Sequence, residues 1–313
     1  MMRNYLLPLF LLFSLVWASC EKEVEFDFGD KERLVVFSNF SDQNDLEVLV
    51  YTTKSRLTPT ESTNFLTDAT VMVFSGAELL EVLDLVKEDP ESGIPPYYKS
   101  NTIVPQVGVI YTIKVIVPGY ETVTATNSIP IAVPIQSVQF SNNVFRDVES
   151  ESAVNFKVAV TIKDPVEVVN FYHVIFHQEM IPFSIGELGD TIRGPVIYTK
   201  PAKLRIDSDS PAVKYFDGKS LLAKDETFNG KVVTFSVEGS YKFNPKLFLP
   251  GRFLVELRTV SEAYYYYHST LTIQHEAGES PLSPGVVVFD NIENGVGVFA
   301  GFSSTFDFFD LNN

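Results

Sequence analysis

The stretch Tyr111-Thr-Ile-Lys-Val-Ile-Val-Pro-Gly-Tyr120 decides the fold class. Tyr111, Ile113, Val115 and Val117 alternate with Thr112, Lys114 and Ile116, and a period of two puts one set on a single face, as a half-buried strand requires. Pro118-Gly119 then turns the chain, because proline presets the first turn position and glycine accepts a positive φ. The return from Tyr120 to Thr126 sets Thr122, Thr124 and Thr126 against Val123 and Ala125, which completes a β-hairpin.

Upstream, the same alternation predicts strands at Leu34 to Asn39, Leu46 to Tyr51 and Ala69 to Phe74, separated by Pro, Gly, Asn and Ser turns. Residues 34–136 therefore read as an immunoglobulin-like or transthyretin-like β-sandwich. Ala77 to Lys87 also suits an amphipathic helix, with apolar residues at 79, 80, 82, 83 and 86, but its place between two well-marked strands favours a strand. Ile129-Pro-Ile-Ala-Val-Pro-Ile135 reads as an edge strand leading out of the domain, since proline cannot donate to a central ladder.

Downstream, residues 137–313 read as a second β-rich domain with one or two helices, so the whole chain is all-β. Strands are expected at Ala153 to Lys163, Val168 to Phe176, Lys231 to Glu238 and Arg252 to Val260. Ser261 is a good N-cap, Glu262 suits a first turn, and no Gly or Pro interrupts the chain before Gly278, which predicts a helix. The run Tyr264 to Tyr267 then wraps most of the way round that helix, offering some rings to the interior and some to a partner. Val286 to Phe289 and Val296 to Phe302, on either side of Asn291 to Gly295, read as a second hairpin.

The N-terminus gives an address. Arg3, an apolar run from Tyr5 to Trp17, the small pair Ala18-Ser19 and then Cys20 make the layout of a secretory signal peptide over residues 1–19. The run falls short of the roughly 20 apolar residues a membrane span needs. Cys20 is the sole cysteine of 313 residues, so no internal disulfide forms, and its position reads as a lipid attachment point. Two or three acyl chains there give stable anchoring, where one alone holds marginally. Residues 20–33 are then a lipidated acidic tether. Cleavage after Ala18, as in an ordinary secreted protein, is the alternative.

Loss of residues 1–19 removes Arg3 and no acid, leaving 23 basic and 40 acidic residues, a net charge of −17. Such a surface repels phosphate backbones and anionic headgroups, which excludes nucleic acid as a partner and assigns membrane attachment to the lipid.

Motifs for chemistry are sparse, and no catalytic residue, metal ligand or cofactor is assigned. His173 and His177, with Glu179 nearby, have helical zinc-site spacing, but in a β-branched, aromatic run they lie roughly 13 Å apart along a strand. Asp207-Ser208-Asp209 and Asp225-Glu226 with Asn229-Gly230 lack the spaced oxygens and terminal glutamate of a calcium loop. Gly295, Gly297 and Gly301 fall in a hairpin and not in a phosphate loop, and no G-x-S-x-G occurs.

Several turn motifs recur together: Tyr111-Thr-Ile-Lys-Val with Pro118-Gly119 and Ile129-Pro130, Lys163-Asp164-Pro165 before Asn170-Phe171-Tyr172, Asp225-Glu226-x-Phe228-Asn229-Gly230-Lys231, Val260-Ser261, and above all Asn291-Ile-Glu-Asn-Gly-Val-Gly-Val-Phe299. In these the chain resembles a Bacteroidota lipoprotein family known as domain of unknown function 4249. The resemblance implies an outer-membrane, surface-exposed setting, with Glu21-Lys22-Glu23 similar to the charged export tag of such lipoproteins, and an accessory role beside a TonB-dependent barrel. It implies no catalytic residues. The expected function is thus non-enzymatic ligand capture or docking for a TonB-dependent nutrient transporter, with unknown ligand-binding residues. A stand-alone glycan-binding or adhesive module is the alternative, and a hydrolase the third class.

Overall fold

A computed structural model describes residues 32–53, 63–145, 152–166, 168–202, 204–206, 210–278 and 286–311, the side chains of 143–145 excepted. The expected signal peptide, Cys20, most of the expected tether and the Asp207-Ser208-Asp209 stretch lie outside the described residues.

The first half carries β1 (Leu34–Ser41), β2 (Glu47–Thr52), β3 (Thr70–Ser75), β4 (Glu78–Val82), β5 (Asp84–Val86), β6 (Tyr97–Lys99), β7 (Ile110–Ile116) and β8 (Val123–Ser128). The crossing strand β9 (Ile135–Phe145) leads into β10 (Ser152–Lys163), β11 (Phe171–Ile185), β12 (Thr191–Arg193), β13 (Ile197–Thr199), β14 (Leu204–Ile206), β15 (Ala212–Lys214), β16 (Ser220–Lys224), β17 (Val232–Phe243) and β18 (Phe248–Val260). Helix α1 (Glu262–Gly278) and β19 (Val296–Phe309) follow. The protein is mainly β, as the alternation predicts. The β7–β8 hairpin forms with Val115 opposite Val123, and 77–87 divides into β4 and β5.

One long sheet, in the order β15-β16-β11-β18-β19-β1-β2-β6-β5, is a wall common to both halves. Against its β1-β2-β6-β5 end packs the sheet β4-β3-β7-β8, burying Val36, Phe40, Val71, Ile113, Val115 and Phe299. Against its β11-β18 end packs β14-β17-β10-β9, burying Val154, Phe156, Tyr172, Phe235, Phe253 and Val255. Helix α1 lies on the other face of the wall, over Phe171, Val260, Val298, Ala300 and Phe302.

Two local expectations are corrected. The C-terminal hairpin does not form: β19 runs parallel to β1 and antiparallel to β18. Its expected partner strand is replaced by one side chain, Asn291, whose amide donates to the Phe299 carbonyl at 2.9 Å and accepts the Phe299 N–H at 3.0 Å. Val286 to Phe289 instead follows the helix, the Phe289 N–H bonding Thr270 Oγ1 at 2.9 Å. The parallel pairing needs glycine at 297, where φ is +115° and a Cβ would sit 2.1 Å from the Val36 carbonyl oxygen. The second correction is Ile129 to Ile135, of which 130–134 is not strand. Two prolines remove its donors, and the Val133 N–H goes to Thr259 Oγ1 at 2.9 Å.

Helix α1 starts as expected: the Tyr264 N–H bonds Ser261 Oγ at 3.4 Å and the Tyr265 N–H bonds the Ser261 carbonyl at 3.1 Å. The tyrosine run packs largely onto the wall. Tyr264 is 2% exposed and Tyr265 to Tyr267 are half-buried against Phe171, Phe289 and Phe37. Apolar rings leave water when a sheet face lies beneath them, whichever way they wind round the helix.

Candidate functional site

Alternation along β11 sends Tyr172, Val174 and Phe176 into the core and His173 and His177 to the helix side of the wall. Under α1, His173 Nδ1 pairs with the Tyr264 hydroxyl at 2.9 Å and Nε2 with Ser220 Oγ at 2.8 Å. Arg258 Nη1 donates to the same tyrosine oxygen at 3.4 Å, its Nε donates to Glu256 at 2.6 Å, and its guanidinium lies 4.2 Å over the Phe302 ring. His268 bonds Tyr215 at 3.0 Å and Asn39 at 3.0 Å.

Burial, with the Arg258 charge, holds His173 well below the ordinary imidazole range. Burial and Arg258 push His268 down to about 3. Burial alone would raise Glu256, but His177, Arg258 and Ser304 together pull it down to about 2. The Ser220–His173 pair has the spacing of a nucleophile and its base, yet Ser220 is fully buried and has no face on which a substrate carbonyl can approach. The arrangement fastens the helix to the sheet.

A second cluster gathers the turn motifs noted in the sequence. Asp164 accepts from the Tyr172 hydroxyl and from the Gly230 N–H at 2.8 Å, and Asp225 accepts the Asn170 N–H at 2.7 Å. Both carboxylates are 1% exposed, so the Asp225 turn is a backbone clasp. Among the described residues no three His, Cys, Asp or Glu side chains gather as a metal site.

The open surface begins where α1 stops covering the wall. At a β-bulge, Gly251 and Arg252 of β18 face the single residue Glu179 of β11. A bulge re-aims its side chains, and this one turns Arg252 outward. Glu179, 5% exposed, accepts the Arg252 N–H at 2.9 Å, the Arg252 Nη2 at 2.7 Å and the Tyr198 hydroxyl at 3.3 Å. Gly251 is required here because a Cβ would meet the Glu179 carboxylate at 2.9 Å. Arg252 in turn lies 4.5 Å over the Phe308 ring. Beside this fixed guanidinium stand Tyr198 and Phe308, exposed by 52% and 43%, and Phe306, 42% exposed, follows two residues away on the same face of β19, opposite Glu256. The His177 and Glu179 noted in the sequence both border the patch, His177 Nε2 being 3.5 Å from Glu256.

Phe306 and Phe308 escape the sequence reading because the expected hairpin ends at Phe302. The spacing of Phe302, Phe306 and Phe308 by even numbers was the available signal for one continuous face. A groove of about 570 Å³ also crosses the four-stranded sheet of β9, β10, β14 and β17, but its charges serve one another: Glu238 is paired to both Lys157, at 3.3 Å, and Arg205.

These features define a mainly β, double-sandwich protein whose most exposed ordered aromatics cluster round an arginine on one sheet face. The chain belongs to the family described as Domain of unknown function (DUF4249), whose model matches residues 21–306. No curated protein matches it. Among solved structures, a biofilm associated protein B domain is 7% identical, over 87% of this chain and 85% of that one, with a TM-score of 0.16. A biofilm associated protein BSP domain is 8% identical, over 88% and 58%, also with a TM-score of 0.16. Scores of that size carry no structural inference.

Proposed function

We propose that this chain is a Bacteroidota outer-membrane lipoprotein, anchored through Cys20 and surface-exposed, that docks on a TonB-dependent barrel as an accessory, non-catalytic subunit in nutrient capture. The observation that carries the docking reading is the platform of Tyr198, Phe306 and Phe308 round Arg252. Tyrosine and arginine in a rigid, partly desolvated patch are the residues that dominate binding energy at protein interfaces. Their side chains are already ordered by Glu179 and the bulge, so association costs less conformational entropy. The anchor supports the same reading, since confinement to the membrane plane raises the effective concentration beside an anchored partner.

A glycan-binding role has less support from this platform. A sugar hydroxyl both donates and accepts, and the carboxylate that would accept its proton here, Glu179, is taken up by Arg252 and Tyr198. The test is affinity purification of the acylated protein in mild detergent, comparing wild type with the double variant Phe306→Ser, Phe308→Ser. A TonB-dependent barrel recovered with wild type and reduced at least ten-fold with the variant is the expected result. Equal recovery, or no barrel with either, overturns the docking site.

A further inference from the structure

We infer that the loop between β10 and β11, with the first residue of β17, is a second seat on the lipid surface, an apolar contact that fixes how the anchored protein lies on its membrane. Val166, Val168, Val169 and Val232 are exposed by 71%, 61%, 55% and 58%. Val232 pairs with Lys163 at the mouth of the loop. Gly230 leaves the room in which Val166 lies, since a Cβ there would fall 2.9 Å from the Val166 Cβ. Val168 and Val169 complete the same loop. Its backbone is held from beneath, so these side chains stay in water. The Asn170 amide donates to the Val168 and Pro165 carbonyls at 2.8 and 3.4 Å, and the Asn170 N–H donates to the buried Asp225 carboxylate at 2.7 Å. The buried Asp164 takes the Gly230 N–H at 2.8 Å. Valines kept exposed by a fixed backbone mark a surface that another apolar phase covers.

The place of the loop in the fold says which phase. β1 and β19 run parallel, and β18 is antiparallel to both β19 and β11, so β1 and β11 run the same way along the wall. The tether leads into the start of β1, and the valine loop stands at the start of β11, at the same end. The β11–β12 turn, with Leu188 97% exposed, stands at the other. The register gives the stagger between the two starts. Phe171 is level with Val260 and Val260 with Phe302, six positions beyond the Val296 that pairs with Val35, or roughly 20 Å along a strand. Twelve residue steps join Cys20 to Glu32, a reach of at most roughly 40 Å. The reach exceeds the stagger, so a chain anchored at Cys20 tilts until the loop meets the bilayer that holds its acyl chains. Tethering makes a weak apolar contact sufficient, because the lipid is always at hand. The contact asks for no headgroup charge, and an acidic chain meets neutral lipid with the least repulsion.

The seat rests on the Cys20 anchor proposed above, and its test supplies that anchor chemically so that the two fail separately. Trp17, the sole tryptophan, leaves with residues 1–19, and Cys20 is the sole cysteine. The chain from Cys20 is coupled through that thiol to a maleimide lipid in vesicles of neutral phosphatidylcholine, with one tryptophan introduced as reporter. Val168→Trp is expected to shift its emission to the blue and to be quenched at least two-fold when the lipid acyl chains are brominated. Leu188→Trp, at the far end of the wall, is expected to show neither. In a third chain Val232→Trp reports on the loop, and adding Val166→Asp and Val168→Asp, both at exposed positions, should abolish its quenching while the circular dichroism spectrum is retained. An unquenched Val168→Trp overturns the seat, as does quenching of Leu188→Trp to the same extent. Quenching of Val232→Trp that survives the two aspartates overturns it as well, and so does quenching seen only with anionic lipid, since headgroup charge and not the valines would then hold the surface. Acyl mass on the native protein is read separately, so loss of the natural anchor is not confused with loss of the seat.

Discussion

Buried polar side chains set how this protein responds to acid and to single substitutions. Glu256, held down to about 2 by partners that outweigh its burial, binds fewer protons folded than unfolded. Its contribution is complete above the ordinary glutamate value and is lost as pH falls from there towards 2, on the order of 3 kcal/mol in all. His268 has the same sign: depressed to about 3, it stays neutral in the fold, and stability declines as pH drops below about 6.5, where the unfolded imidazole takes up its proton. Urea midpoints measured from pH 7.5 to 3 should therefore fall continuously, and His268→Gln should flatten the part between pH 6.5 and 4.5. A wild-type midpoint independent of pH over that range contradicts the assignment. The Asp164 clasp is the other test at this scale. Asp164→Ala strands the Tyr172 hydroxyl and the Gly230 N–H, and should cost about 3 kcal/mol in urea unfolding, against about 1 for Tyr172→Phe.

Among the elements, β19 has the strictest demands. Gly297→Ala brings a Cβ against the Val36 carbonyl at a positive φ, and should destabilise by at least about 3 kcal/mol, measured by thermal or urea unfolding. Ser261→Ala, which removes only an N-cap, should cost about 1 kcal/mol. The same elements mark what could be read in the sequence. Strands with one wet face, such as β7 and β10, show in the alternation, and the cap and glycine bounds of α1 were legible because capping is local chemistry. The parallel pairing of β19 with β1 was not, since 261 positions separate the two residues of every pair, as from Val35 to Val296, and nothing local fixes the neighbour. Nor were β12 to β15, three residues each, too short to show a period. The platform was half legible: the histidine spacing singles out His177 and Glu179, while Arg252, Phe306 and Phe308 depend on a bulge and a strand partner that only the fold supplies.

Across the whole molecule, the shared wall makes the two halves dependent on one strand. β19 gives Phe299 to the first core, Val298, Ala300 and Phe302 to the helix layer, and Phe309 to the edge of the second core. Truncation after Gly295 should thus abolish cooperative unfolding of both halves, where independent domains would leave the β3–β7–β8 sandwich folded. One face of this wall is covered by α1 and the adjoining part exposes the aromatic platform, so the long sheet also sets where a partner can approach. Anchoring decides whether that partner is a membrane protein. Of the described residues, no helix is long and apolar enough to cross a membrane, and the proposed attachment rests on Cys20. The most direct test is intact mass spectrometry of the membrane-extracted protein and its Cys20→Ala variant, with identification of what each brings down. Acyl mass on Cys20 and a TonB-dependent barrel with the wild type, and neither with the variant, is the predicted result. A chain cleaved after Ala18, released without acyl mass and without a barrel, contradicts the account.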